Sequence, residues 1–370
     1  DSPSGAYTYS FTNPGAVQAF QIEATGGSEA VAKTFSTDLY TGNATSQTIT
    51  NGLDLSTDGG LVWVKRRDGA GSHALMDTER GVQRLLSSDT SDAQAATSCV
   101  PAFNTDGFDL GSSGLVNEGA WTYVSWAFKK QAKFFDIVTY TGTGAAGLNV
   151  SHSLGSIPGM IIIKRTDSAA NWPVYHKGLN GGTNPEQYGF KLNQTGAQSD
   201  NTTYWNDTAP TDTQFTLGTT GLVNTAGGTY IAYIFAHDTA SDGLIQCGSY
   251  TGTGSYSSPP VVNLGWSPQW IMIKRADSTS SWQIYDTTRG ATQDSSSYLR
   301  PDQNQAEQTY TGGYVGFYPT STGFSLSIDG SEGNASGGTY IYMAIRSAAA
   351  LALTWPTSIE WTQGTTPKTP

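Results

Sequence analysis

Two cysteines in 370 residues, Cys99 and Cys247, exclude a disulfide-stapled scaffold. They fall at non-equivalent places, so two buried free thiols are the expectation and one bridge the alternative. The count leaves the redox compartment open. Charge is sparse as well. Only 13% of residues are charged, and so few Glu and Lys disfavour long solvent-facing helices. The 19 basic residues are outnumbered by 30 acidic ones, a formal net charge of -11. No basic face is available for nucleic acid. The acidic balance suits solubility and a particle surface. No apolar run approaches the roughly 18 residues of a membrane-spanning helix. No signal-peptide pattern opens the chain, and it starts on Asp1 in place of an initiator methionine, which points to a fragment or a processed product.

Catalytic constellations are also missing. The four histidines, His73, His152, His176 and His237, show no metal-ligand spacing. There is no Gly-x-Ser-x-Gly elbow and no Cys-x-x-Cys. The glutamates are scattered, with no Glu-x-Asp-x-x-Glu strand of the kind that jelly-roll glycosidases use to flank a cleft with two carboxylates. Gly142-Thr143-Gly144-Ala145-Ala146-Gly147 matches a dinucleotide-binding pattern. The residues after it, Leu148-Asn149-Val150-Ser151-His152, are not helical, so a β-turn is the reading. The expectation is therefore no enzymatic activity, no cofactor and no metal. The Asn-x-Ser/Thr triplets at Asn43, Asn149, Asn193, Asn201, Asn206 and Asn334 arise readily by chance in this composition and imply no glycosylation.

The chain does have glycine, 44 residues, and aromatics, 11%. Both favour short strands and tight turns. It also repeats. Leu61-Val62-Trp63-Val64-Lys65-Arg66-Arg67-Asp68 returns as Met160-Ile161-Ile162-Ile163-Lys164-Arg165-Thr166-Asp167 and as Trp270-Ile271-Met272-Ile273-Lys274-Arg275-Ala276-Asp277. Each is an apolar run closed by Lys-Arg-x-Asp, which reads as a buried strand whose end reaches solvent. Other landmarks recur in fixed order. Tyr40-Thr41-Gly42, Tyr140-Thr141-Gly142 and Tyr250-Thr251-Gly252 come first. Aromatic strands at 73–77, 172–176 and 282–286 come after the Lys-Arg-x-Asp run. Alternating strands at 121–128, 229–235 and 339–345 close each unit, with one face expected in a sandwich core.

The fold class expected is all-β: three tandem β-sandwich, jelly-roll-like units with an N-terminal arm. The boundaries are 1–39 for the arm, 40–132, 133–242 and 243–349 for the three units, and 350–370 for a C-terminal linker. In the alternative, two repeats merge into one larger jelly roll, with sheet hydrogen bonds crossing near Phe134. The polar stretches 87–98 and 195–213 read as surface loops. Lys-Arg-x-Asp has two readings. One is a set of three sites for a charged glycan. The other, favoured here, is a strand-end ion pair repeated because the fold repeats. Units one and three share Asp77-Thr78-Glu79-Arg80-Gly81 and Asp286-Thr287-Thr288-Arg289-Gly290, whereas unit two has His176-Lys177-Gly178. His73 aligns with Trp172 and Trp282, which favours packing over catalysis.

The string from Asn51 to Lys65 with His73 to Gly81 resembles a repeat common in structural proteins of marine tailed bacteriophages. So does Phe135 to Gly144 with Ser153 to Gly159 and Trp172 to His176. The resemblance covers about residues 38–365 and is similar to concanavalin-type (LamG-like) jelly-roll domains. It implies a virion-surface protein, most simply a tail fibre or surface appendage that contacts host-surface glycans. The alternatives are a capsid decoration or head-fibre protein, a secreted lectin, and a polysaccharide-degrading tailspike. The partners implied are other copies of itself (a trimer in a fibre), other virion proteins and host glycans, with no nucleic acid and no membrane. Three units in series suit an extended shape.

Overall fold

The computed structural model describes residues 27–292, 295–311, 316–328 and 331–348. The expected arm strands at 6–11 and 16–24 and the linker 350–370 lie outside the described residues. Within them the chain is strands joined by turns and helices of at most six residues, as the all-β reading expected.

The strands fall into three sets of one topology. In each, four strands pair antiparallel in the order leading, closing, central, short. The leading strands are Phe35–Thr41, Phe135–Thr141 and Ile245–Thr251. The closing strands are Thr122–Lys129, Thr229–Ala236 and Thr339–Arg346. The central strands are Gly60–Arg66, Pro158–Arg165 and Pro268–Arg275. The short strands are Ala74–Asp77, Pro173–His176 and Gln283–Asp286. The register coincides: Lys65, Lys164 and Lys274 lie opposite Val124, Ile231 and Ile341. A smaller sheet covers each large one, built around the pairs Gln47–Thr50 with Gly107–Leu110, Leu148–Ser151 with Gln214–Leu217, and Val261–Asn263 with Gly323–Ser325. Every described sheet draws its strands from one set, so no sheet crosses the boundary near Phe134. The first set starts earlier than Tyr40, because Phe35 pairs with Phe128 and Val31 and Phe35 are buried in the core.

The central and closing strands are buried on both faces, and alternation divides their side chains between two cores. In the first set Val62, Val64, Tyr123 and Ala127 pack under the small sheet. Leu61, Trp63, Val124, Trp126 and Phe128 point the other way, into a core shared with Phe135, Met160, Phe235, Trp270 and Ile345 of the other sets. Phe128 lies at the meeting point, 5.6 Å from the rings of Phe135 and Phe235 and 5.8 Å from Trp270. Two expectations are corrected here. The closing strands do not face solvent on one side, and the three sandwiches do not run in series. Their large sheets pack against one another because both faces of each are apolar, and leaving one face in water would cost roughly 25 cal/mol per Å².

The recurrence of the Tyr-Thr-Gly landmark has a local cause. The hydroxyls of Tyr40, Tyr140 and Tyr250 donate to the carbonyls of Val116, Val223 and Gly333. A Cβ on Gly42, Gly142 or Gly252 would collide with the backbone carbonyl oxygen of Glu118, Thr225 or Ala335. Buried Asn117, Asn224 and Asn334 accept the N–H groups of the turn that comes next. The Gly-x-Gly-x-x-Gly match is this turn, with Gly144 and Gly147 at φ 77° and 83°.

Candidate functional site

The recurrent charged motif lies at the seams between sandwiches. Arg66, Arg165 and Arg275 pair with the Asp two residues on, at 2.7, 2.8 and 2.9 Å. Those carboxylates also accept the N–H of Thr122, Thr229 and Thr339, pinning the strand end to the start of the closing strand. This half of the motif reaches solvent, and each such pair contributes at most about 1 kcal/mol. The lysines do not reach solvent. Lys65, Lys164 and Lys274 are fully buried. Lys164 Nζ donates to the carbonyls of Ser91 and Ala170 at 3.1 and 3.0 Å. Lys274 Nζ donates to those of Thr195 and Arg275 at 3.2 and 2.8 Å, and Lys65 Nζ to Arg66 at 2.6 Å. Burial pushes all three ammonium groups down to about 8.

Two backbone hydrogen bonds per seam repeat with the same offsets. Six residues after each lysine, the N–H of Gly71, Ala170 and Ser280 donates to the carbonyl of Asn304, Ser91 and Thr195, at 2.8, 2.7 and 2.9 Å. Three residues beyond each acceptor, Glu307, Gln94 and Gln198 return a bond to the carbonyl of Arg67, Thr166 and Ala276, at 2.8, 2.9 and 2.9 Å. The first sandwich thus grips the third, the second grips the first, and the third grips the second. The ring closes. The stretches 87–98 and 195–213 are therefore not free surface loops, since Ser91, Gln94, Thr195 and Gln198 form the seams.

The aromatic at the start of each short strand obeys the same cycle. His73 Nε2 meets the carbonyl of Arg300 at 2.9 Å, Trp172 Nε1 that of Thr90 at 3.0 Å, and Trp282 Nε1 that of Lys191 at 3.2 Å. Trp63 Nε1 donates to His73 Nδ1 at 2.9 Å, so the neutral ring carries its proton on Nε2. Burial holds His73 well below the usual histidine range.

The departure of unit two from Asp-Thr-x-Arg-Gly has its explanation at the same seams. Asp77 Oδ2 accepts from Tyr233 of the second sandwich at 2.8 Å and pairs with Arg80 at 2.5 Å. Asp286 Oδ2 accepts from Trp126 Nε1 of the first sandwich at 3.0 Å and pairs with Arg289 at 2.6 Å. The residue equivalent to Trp126 and Tyr233 is Met343, which has no donor. Facing it are His176 and, three places on, buried Leu179, in place of Asp and Arg. His176 Nε2 bonds instead to the carbonyl of Tyr342 at 2.9 Å, and its Nδ1 accepts from Gly178 N at 3.0 Å. Burial pushes His176 down to about 3. One seam is apolar where the other two carry a buried ion pair. The seam between sandwiches three and one has no adjacent chain linker. It carries a further pair, Arg67 with both oxygens of Glu307 at 2.8 and 3.0 Å.

Cys99 and Cys247 are free and buried, and burial pushes both thiols up. Among the described residues no group of three His, Cys, Asp or Glu side chains is placed to hold a metal, and no helix is long and apolar enough to cross a membrane. One hollow of about 360 Å³ opens at the seam of the second and third sandwiches, lined by Asn193, Gln194, Thr195, Gly196, Asp302 and Gln303. Sequence reading missed it. The signal was the equivalence of Asp89, Asn193 and Asp302, whose Oδ1 atoms cap the N–H of His73, Trp172 and Trp282.

A family profile described as a domain of unknown function (DUF7483) matches residues 30–348, the span of the three sandwiches. No curated protein matches. A solved structure, the nematode sperm cell motility protein MFP2B, overlays 89% of this chain and 79% of its own at 8% identity, with a TM-score of 0.18 that supports no inference.

Proposed function

The chain belongs to the DUF7483 family, and we propose that it is a non-catalytic structural module displayed on the surface of a tailed-phage virion, where it contacts host-surface glycans. The observation that carries the non-catalytic part is the placement of the recurrent charges. Lys65, Lys164, Lys274, Asp77 and Asp286 are wholly buried and committed to hydrogen bonds, which fits holding three sandwiches together better than meeting a substrate. The phage assignment rests on the sequence resemblance. A body closed on a shared core fits a knob better than a shaft. That specific observation favours a second reading beside the appendage, a capsid decoration.

Labelled-antibody electron microscopy of particles distinguishes these readings. Label at the tip of an appendage, with excess protein blocking adsorption to host cells, supports the appendage. Label over the capsid lattice with no effect on adsorption supports decoration, and absence from the particle overturns both. Release of new reducing ends from host polysaccharide would overturn the non-catalytic reading.

A further inference from the structure

We propose that the third sandwich is an acid-releasable unit, held to the other two by neutral His73, His176 and His237, each of which must give up a hydrogen bond at its Nδ1 to take a second proton.

His73 and His176 stand at the two seams that the third sandwich makes, and both are fully buried. His73 Nε2 meets the carbonyl of Arg300 and His176 Nε2 that of Tyr342, each at 2.9 Å and each in the third sandwich. On the far side of each ring a fixed N–H points at Nδ1, from Trp63 Nε1 at 2.9 Å and from Gly178 N at 3.0 Å. His237 is half-buried in the linker that enters the third sandwich. Its Nδ1 receives the N–H of Cys247, on that sandwich's leading strand, at 3.2 Å. An imidazolium has two donors and no acceptor. A proton on Nδ1 therefore sets donor against donor at all three places. The seam between the first and second sandwiches has no histidine. Trp172, whose indole N–H does not titrate, stands there in the place of His73, and Asp77 in the place of His176. His152 makes its ring contacts within the second sandwich, with Leu154 N at 3.3 Å and the ring of Phe215.

The charged groups around the rings act in the same sense. Lys65 and Arg289 face His73 against one carboxylate, Asp89, which accepts the His73 N–H. Lys177 stands beside both His176 and His237, with Asp238 near His237. Burial holds His73 well below the usual histidine range and pushes His176 and His237 down to about 3 and about 4. Freed of the seams, all three take protons below about 6.5, so acid favours release. Asp89 and Asp302 run the opposite way, because burial raises both carboxyls and the closed form protonates first. Three histidines against two carboxylates leave a net uptake of about one proton on release. The opening constant then rises about tenfold per pH unit between about 6 and 4.

Amide hydrogen exchange of the full chain between about pH 7 and 4, expressed as protection over the intrinsic rate, tests the release. Gly71 and Glu307 report the seam of the third sandwich with the first, Gln198 and Ser280 its seam with the second, and Gln94 and Ala170 the remaining seam. The first four are expected to lose protection about tenfold per pH unit below about 6, while Gln94, Ala170 and the strand amides keep theirs. His73→Gln and His176→Gln should each lessen that dependence by about tenfold per unit, and His152→Gln should leave it unchanged. Should a variant fail to fold, the contrast among the seams of the wild type still decides. Loss of protection at all six amides together, protection constant down to about pH 4, or an unchanged pH dependence in both seam variants overturns the proposal.

Discussion

Tyr233→Phe removes one oxygen from the seam between the first and second sandwiches and should cost about 2 kcal/mol. The hydroxyl is fully buried, donates to Asp77 Oδ2 at 2.8 Å and receives Arg80 Nη2 at 3.3 Å. A hydrogen bond to a charged group contributes about 1.5–3 kcal/mol. The remaining Arg80 contact keeps the carboxylate paired, which places the cost near the middle of that range. Asp77→Asn should cost more, about 3–5 kcal/mol, because it leaves the Arg80 guanidinium buried without its counter-charge. The two residues sit in different sandwiches, so their coupling reads the seam directly. Equilibrium urea unfolding of the wild type, both single variants and the double variant closes the cycle. The seam predicts a coupling of about 1–2 kcal/mol. Additivity within about 0.5 kcal/mol would refute the contact.

The other seams and the buried titratable groups give further expected outcomes. Transplanting the solution of the seam between the second and third sandwiches, with Asp77→His, Arg80→Leu and Tyr233→Met together, should cost less in urea unfolding than Asp77→Asn alone; a greater cost would refute the equivalence of the seams. Arg67→Met and Glu307→Gln should each destabilise the chain, and the double variant should cost less than the sum of the two; additivity within about 0.5 kcal/mol would dismiss the closing ion pair. His176, held at about 3, stays neutral in the fold while the unfolded chain protonates below about 6.5. Its stabilisation is therefore complete above about 6.5 and lost as pH falls toward 3, at about 1.4 kcal/mol per pH unit. Asp302, raised to about 6, runs in the opposite sense, so the effect is read as the difference between wild type and His176→Gln; a difference constant from about pH 7 to 4 would contradict it. Lys274, held at about 8, gains stability as pH rises from 8 to about 10.4, where the unfolded chain still binds the proton. Lys65 and Lys164, also held at about 8, contribute in the same sense, so Lys274→Met should remove about a third of the alkaline gain, and an unchanged profile would place the Lys274 ammonium in solvent.

The strands were legible because each Lys-Arg-x-Asp run is apolar enough to be buried, and their equivalence was legible because the landmarks keep their order. The shared core was half legible. Leu61-Val62-Trp63-Val64 has no polar face, which a one-sided sandwich strand would show, and that pattern already called for a second covering layer. Closure into a ring was not legible. The bonds from Gly71, Ala170 and Ser280 run between backbone groups, and any residue supplies those. The His176 exception became intelligible only with Met343 opposite it, a pairing across sandwiches that no local spacing reveals.

Closure of the three sandwiches into a ring of seams is the central claim, and hydrogen exchange at the amides of Gly71, Ala170, Ser280, Gln94, Gln198 and Glu307 tests it directly. All six donate across a seam, and none is satisfied within its own sandwich. A closed ring predicts that all six are protected to a level close to that of the closing strands, including Gly71 and Glu307 at the seam without a linker. Exchange of Gly71 and Glu307 at the rate of an open loop, with the strand amides still protected, would contradict closure.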